Sequence, residues 1–324
     1  MVKNSQFSIK NMAKKTARKD EPKVSIVFLN WNAKQHTFAL IESLKKMSYK
    51  NFDIIISDNG STDGIEKEFR KKYRKIATLI ENKKNLGEDE GLNVGIREAL
   101  KRKSDYVLIM DNDMYVDRKF LNILVDEMEK HPEVAVAGPK IYYADPNNMI
   151  WSAGCEYHFR GFRSRYQKEI DVGQADKKEY LPAIDCVMLM RSDVLRKEGI
   201  LNGEFFTMHE MTGWCLKVSK KGYKILYVPK AKVWHKVSAT LNMTKNKREI
   251  VTYYDTRNWL LCNKYYENIF YFMWILFLQS TVLFFIRSIG YIKERQPSLI
   301  KTYFIAIWHA LTNKTPLKLY PYKN

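Results

Sequence analysis

Residues 24–29, 52–57, 77–80 and 106–110 form four short apolar runs separated by amphipathic stretches at 37–47, 62–73 and 91–101. Runs of that length read as buried strands, and the helical period between them reads as crossover helices. Strand alternating with helix predicts an α/β fold built on a doubly wound, mostly parallel sheet with flanking helices. A chain of 324 residues with 45% hydrophobic content can bury one such core and carry appendages. Ligands in these sheets gather beyond the carboxyl ends of the strands, which is where Asn30, Asp58 and Asp111 fall.

The formal charge of +19 is not a requirement of folding, so it implies an anionic partner. Phosphate groups, anionic lipid and nucleic acid all fit that description. The basic residues are spread over helices and tails without a nucleic-acid motif, and strand-end carboxylates would repel a phosphate backbone unless a metal intervened. No nucleic-acid partner is therefore expected. Cys155, Cys186, Cys215 and Cys262 show no ligand-like spacing and lie in apolar contexts, which suits reduced buried thiols and a reducing compartment. Residues 1–22 read as a basic flexible arm, with Met12 as an alternative start and no signal-peptide pattern.

Asp111-Asn-Asp113 follows the apolar run at 106–110 and sets two carboxylates at a strand end with one residue between them. Such a pair can hold Mg²⁺ or Mn²⁺, whose oxygen-rich coordination also bridges phosphate oxygens. Acidic residues after a strand also make turns, so the pair gains meaning from its neighbours. Ser57-Asp-Asn-Gly-Ser-Thr-Asp-Gly64 offers carboxylate, amide and hydroxyl groups for a base or ribose, with Ser61 or Thr62 expected to cap the next helix.

Across roughly residues 23–264 the chain resembles glycosyltransferase family 2, the inverting group with the GT-A fold, and its rhamnosyltransferase-like members in particular. The matching pieces are Val24-Ser-Ile-Val-Phe-Leu-Asn-Trp-Asn32, the 57–63 segment, Asn85-Leu-Gly-Glu-Asp-Glu-Gly-Leu-Asn-Val-Gly95, Asp111-Asn-Asp113, Trp151-Ser-Ala-Gly154, residues 185–191, and Gly222-Tyr-Lys-Ile-Leu-Tyr-Val-Pro229 leading to His235. The resemblance implies a nucleotide-sugar donor and a glycan or lipid-linked acceptor. By it, Asp58 contacts the base or ribose, and Asn30, Asn59, Asn85, Gly87, Asn93 and Asp111 belong to the donor site. Asp111, Asp113 and His235 frame the divalent metal.

One departure bears on mechanism. The family carries a Glu-Asp pair, with the Asp as base, where this chain has Phe205-Phe-Thr-Met-His-Glu-Met-Thr-Gly-Trp-Cys-Leu216. Glu210 then falls on the family's Glu and Met211 where the Asp is expected. Glu210 is the first candidate for the base and His209 the second. The same departure leaves a non-catalytic sugar-nucleotide-binding module as an alternative. Glu88, Asp89 and Glu90 also replace the small or apolar residues of the family pattern.

Residues 265–324 differ in composition. The stretch 269–286 is uncharged and apolar, and its 18 residues would reach about 27 Å against a hydrocarbon core of about 30 Å. Basic residues flank it on both sides, which favours a shallow or re-entrant helix over a crossing. Residues 299–311, with Tyr303, Phe304 and Trp308, read as a second interfacial helix. Together these predict an apolar, membrane-associated C-terminal region and attachment at a cytoplasmic membrane face, peripheral, monotopic or single-pass. Arg160, Arg163 and Arg165 read either as charges for the phosphate of a lipid-linked acceptor or as a solvated basic hairpin.

Overall fold

The structure, a computed structural model, describes residues 21–237 and 246–314; of the arm expected at 1–22, residues 1–20 lie outside them. Its first half alternates as expected: β1 (Val24–Asn30), α1 (Lys34–Leu44), β2 (Phe52–Asp58), α2 (Ile65–Lys72), β3 (Thr78–Glu81), α3 (Glu88–Lys101) and β4 (Tyr106–Met110). These strands lie parallel in the order β3-β2-β1-β4. Both faces are covered, which is why their sequences are continuous rather than alternating apolar runs. Val24, Ile26 and Phe28 face one apolar layer with Leu40 and Ile41, while Val27 faces another with Leu92 and Ile96.

Helix α3 starts at Glu88, ahead of the expected 91, because its glycines serve packing and do not break it. A Cβ on Gly91 would meet Leu29 at 2.4 Å and one on Gly95 would meet Val27 at 2.4 Å. Helix α2 starts at Ile65 behind a left-handed Gly64 with no side-chain cap. Ser61 and Thr62 therefore do not cap it. The Ser61 hydroxyl instead donates to Asp58 at 2.6 Å, and Thr62 N–H donates to Asn32 at 2.7 Å.

The second half adds β5 (Met114–Val116), α4 (Phe120–Lys130), β6 (Val134–Tyr143), β7 (Ile150–Ser152), a hairpin of β8 (Cys155–His158) and β9 (Gly161–Ser164), β10 (Glu179–Tyr180), β11 (Val187–Arg191), α5 (Ser192–Glu198), α6 (Glu210–Ser219) and β12 (Lys224–His235). Strand β11 runs antiparallel between β4 and β6, and β12 lies parallel to β6, so the sheet is mixed. The end of β12 also pairs antiparallel with β5, setting His235 opposite Met114. All four cysteines are buried and unpaired.

Helix α7 (Lys247–Tyr266) is buried on most sides, with Tyr253, Tyr254 and Trp259 inside. Helices α8 (Ile269–Ser280) and α9 (Val282–Lys293) follow, and α10 (Ser298–Thr312) closes the described chain. The apolar stretch expected to end at 286 continues to Lys293 and breaks at Thr281, whose φ of −120° and ψ of −92° are not helical. Residues 269–293 are long and apolar enough to cross a membrane, with a mean hydropathy of 2.1 over an 18-residue window. One stripe of this segment, Phe272, Ile275, Gln279 and Leu283, is buried, and beyond Leu283 the rest of α9 is half-buried or exposed. Of the aromatics expected at an interface, Phe304 and Trp308 are exposed, whereas Tyr303 is fully buried and its hydroxyl bonds Gln279.

Candidate active site

Two chambers open beyond the carboxyl ends of the parallel strands. The first, of about 320 Å³, is lined by Trp31, Asn59, Asn85, Gly87, Glu88, Asp111, Asn112, Asp113, Trp151, Cys186, Phe206, Thr207 and His235, among others. The second, of about 250 Å³, is lined by Phe162, Asp185, Met208, His209, Glu210, Met211, Thr212 and Asp255, among others. Glu88, Asp111, Cys186 and Thr207 belong to both, so the chambers meet at a shared wall.

Residues expected at the donor divide into two groups. Asn59, Asn85, Gly87 and Asp111 line the first chamber, whereas Asn30, Asp58 and Asn93 do not. The sheet register explains the first two. Asn30 sits directly opposite Asp58 at the strand ends and donates to it at 2.7 Å. Ser61 closes the remaining valences of Asp58 with its N–H and hydroxyl. Asn30 in turn accepts from Thr37, and Thr37 accepts from Asn112 at 3.0 Å, so this buried network fixes the middle residue of the Asp111-Asn-Asp113 turn. Asn93 is 1% exposed and pairs both amide atoms with the Leu201 backbone at 3.1 Å, locking α3 to the segment after α5.

The three expected metal ligands converge. His235 Nε2 lies 2.9 Å from Asp113 Oδ1 and 3.6 Å from Asp111 Oδ2. Cys186 joins them: ligand atoms of Asp111, Cys186 and His235 all lie within 4.8 Å of one another. Burial pushes the Asp111 carboxyl well above the usual range; His235 opposes this, and Glu88, Asp113 and Asp185 push it further up. Four carboxylates thus crowd one imidazole, an excess of negative charge that a divalent cation would neutralise. Oxygen donors with one imidazole fit Mg²⁺ or Mn²⁺. Burial raises the Cys186 thiol well above its ordinary value, with Asp185 and Asp111 adding to it.

The segment between Phe205 and α6 forms one side of both chambers and is strained. Phe206, Met208 and His209 all have φ between 65° and 68°, unusual for residues with side chains. The fold holds it from two directions. Asn258 on α7 donates to the carbonyls of Phe205, Thr207 and Met208 at 2.9, 2.6 and 3.0 Å. On the other side Asp89 accepts from Phe206 N–H at 2.8 Å, and a Cβ on Gly87 would meet the Phe206 ring at 2.5 Å. The strain delivers His209 and Glu210 to the second chamber. His209 Nε2 lies 3.1 Å from Asp255 on α7, while one oxygen of buried Glu210 has no hydrogen-bond partner. Burial pushes the Glu210 carboxyl well above the usual range, and Glu88, Asp89 and Asp185 add to it. Met211 is 1% exposed in the apolar cluster around Trp214 and Cys215, away from any acid–base role.

The sequence profile of Glycosyl transferase family 2 matches residues 25–198, more than half of the chain. The chain belongs to that family. Over 248 residues the glycosyltransferase is 26% identical to an uncharacterized glycosyltransferase of Haemophilus influenzae, an alignment covering 72% of this chain and 74% of that protein. It is 24% identical over 203 residues to the dTDP-rhamnosyl transferase RfbF of Shigella flexneri, covering 61% and 64% of the two. Its fold matches the mannosyltransferase PcManGT of Pyrobaculum calidifontis, solved with GDP-Man and Mn²⁺, at a TM-score of 0.56, 12% identity and coverage of 95% and 94%. GalNAc-T7, solved with UDP, GalNAc and Mn²⁺, matches at 0.56 and 15% identity, over 75% of this chain and 51% of that one. The fold of the glycosyltransferase is therefore GT-A.

Several residues of this glycosyltransferase site escaped sequence reasoning. Glu88 was visible only as a departure from the family pattern, yet it lines both chambers and accepts from Thr207 at 2.9 Å. Asp255 sits in α7, where no local pattern marks it. Arg165 was expected to offer its charge to a ligand, but it is tied to Glu179 at 2.7 Å and to Glu156 at 3.6 Å. Arg160 and Arg163 remain exposed on the β8–β9 hairpin.

Proposed function

We propose that this glycosyltransferase moves a sugar from a nucleoside diphosphate donor to a hydroxyl of a glycan or lipid-linked acceptor, with inversion and with a divalent metal. The observation that carries the reading is the meeting of two chambers at one wall, acidic metal-type ligands on one side and a histidine–carboxylate pair on the other. An inverting displacement needs that opposition: the nucleophile enters from the face opposite the departing diphosphate. Asn59, Asn85 and Gly87 would hold the nucleotide, and Asp111, Asp113 and His235 the metal. When bound, the metal would supply positive charge to the departing diphosphate.

In the step itself, the acceptor oxygen bonds the anomeric carbon while the bond from that carbon to the diphosphate oxygen breaks, its electron pair leaving with the diphosphate. The acceptor proton goes to a base in the second chamber. His209 is placed ahead of Glu210 for that role because Asp255 orients its imidazole from 3.1 Å, whereas burial and acidic neighbours disfavour the ionised form that Glu210 would need to act as a base. Glu210 then shapes the chamber as a neutral acid. A binding-only module, suggested by Met211, would have no need of the His209–Asp255 pair.

Attachment to a membrane surface is part of the same reading, with residues 23–264 as the catalytic unit and 265–324 as the membrane-associated region. Phe270, Met273, Trp274, Phe277, Phe285, Ile286 and Ile289 leave a large apolar face on α8 and α9, of the kind that interfacial helices insert. Because the opposite stripe of α8, with Leu283 at the start of α9, is buried against the protein, the segment suits lying on a bilayer better than crossing it. Reduced cysteines favour the cytoplasmic face. The test is a thermal-shift screen of UDP-, GDP- and dTDP-sugars with Mn²⁺. Stabilisation by one donor class, dependent on Mn²⁺, is expected, and no response to any of them would overturn the reading.

A further inference from the structure

The pair behind His209 continues into the C-terminal helices. Asp255 uses one carboxylate oxygen for His209, and the other lies 3.8 Å from the guanidinium of Arg287 on α9. Arg287 is itself located by three contacts. It donates to the Thr256 hydroxyl at 3.1 Å, faces Asp255, and lies over the Tyr303 ring at 5.0 Å. Tyr303 is fully buried on α10. The imidazole is confined as well, with the Phe162 and Trp259 rings at 6.4 and 6.0 Å and the Gly161 turn at its edge.

We propose that Asp255 and Arg287 are positioning residues for His209, so that the helix presenting the apolar outer face also completes the acceptor side of the active site. This rests on the proposed role of His209. A carboxylate at Nε2 selects the neutral tautomer that carries its proton there and leaves the Nδ1 lone pair for an acceptor hydroxyl. The Thr212 hydroxyl, 3.5 Å from Nδ1, is too distant to compete strongly. Burial pushes the Asp255 carboxyl up, but the hydrogen bond from His209 and the guanidinium of Arg287 oppose it, and the group is held below its ordinary value. Arg287, 3.8 Å from the free oxygen, keeps Asp255 aimed at His209; without it, a carboxylate that is 38% exposed turns to water.

The proposal departs from a simple division at residue 264. Phe285, Ile286 and Ile289 project from the helix that carries Arg287, and they are exposed. The surface offered to a bilayer and the arginine behind the His209–Asp255 pair therefore lie within one turn of each other on α9.

The experiment is ¹⁵N NMR of histidine-labelled full-length protein at about pH 8, where an unperturbed imidazole is neutral, together with donor hydrolysis kinetics. In the native protein His209 should show the Nε2–H tautomer. Asp255→Ala should lose that signature and lower kcat by about 10²-fold with donor KM and thermal midpoint little changed. Arg287→Gln should give a smaller loss in the same direction, and Arg287→Lys should restore much of it. Retention of the tautomer and of kcat in Asp255→Ala would overturn the proposal, as would a kcat that falls only in step with the folded fraction. The tautomer is read without donor, so it decides the matter even if no sugar nucleotide is turned over, which would instead count against the glycosyl-transfer reading.

Discussion

His235 Nε2 and Asp113 Oδ1 lie 2.9 Å apart, although one residue ends β12 and the other precedes β5. Backbone pairing of these two strands brings them together, and Lys236 N–H donates to the Asp113 carbonyl at 3.0 Å just beyond. The cluster is thus assembled by sheet closure, not by a local turn.

His235→Ala should therefore leave the fold nearly intact while weakening the metal-dependent response. The backbone ladder survives the substitution, so circular dichroism should be unchanged. Mn²⁺-dependent stabilisation by nucleotide should fall about 10-fold or more in apparent affinity. A fold that collapses with the side chain would mean that His235 is structural.

The two candidate bases separate kinetically. His209→Ala should reduce donor hydrolysis and transfer by about 10²- to 10⁴-fold, with donor binding retained. Glu210→Gln preserves size and the neutral state, so its turnover per folded molecule should stay near the native rate. The reverse ranking, measured side by side, would return Glu210 to first place.

Glu210 also gives a stability signature. Its folded-state carboxyl is raised by burial and by Glu88, Asp89 and Asp185, so the folded protein binds the proton more tightly than the unfolded chain. The associated stability is fully present below the unfolded value of about 4.3 and is lost as pH rises towards the folded value. Glu210→Gln cannot ionise. Its stability relative to the native protein should rise by up to about 1.4 kcal/mol per pH unit above that point, as read by urea melts between about pH 4 and 8, and a pH-independent difference would contradict the buried neutral acid.

Much of this was legible in the chain. The β-α-β alternation and the Asp111-Asn-Asp113 turn are local patterns, and they appear where periodicity puts them. What the sequence hid was set at long range. Asn30 and Asp58 look alike at the strand ends, yet the β1–β2 register turns them on each other and leaves Asn59 to face the chamber. The left-handed residues 206, 208 and 209 include no glycine to announce them; contacts from Asp89 and Asn258 impose them. The helix break at Thr281 likewise has no proline or glycine to mark it.

Membrane attachment is best tested by substitution, since removing α8–α10 would uncover α7 side chains such as Trp259 and Leu260. Phe277→Asp with Phe285→Asp places charges on the exposed face, both positions being at least 60% exposed. Sedimentation with anionic vesicles should be lost while Mn²⁺-dependent nucleotide binding is kept. Undiminished sedimentation would move the attachment elsewhere on the chain.

The central claim is metal-dependent chemistry on a nucleotide sugar at the carboxyl end of β4. Release of nucleoside diphosphate from the donor selected by thermal shift tests it most directly, in native protein and in Asp111→Ala and Asp113→Ala, with Mn²⁺ and with EDTA. The account predicts Mn²⁺-dependent release by the native protein, none with EDTA, and a loss of about 10²-fold or more in both folded variants. Equal release by all three proteins, or release indifferent to EDTA, would contradict it.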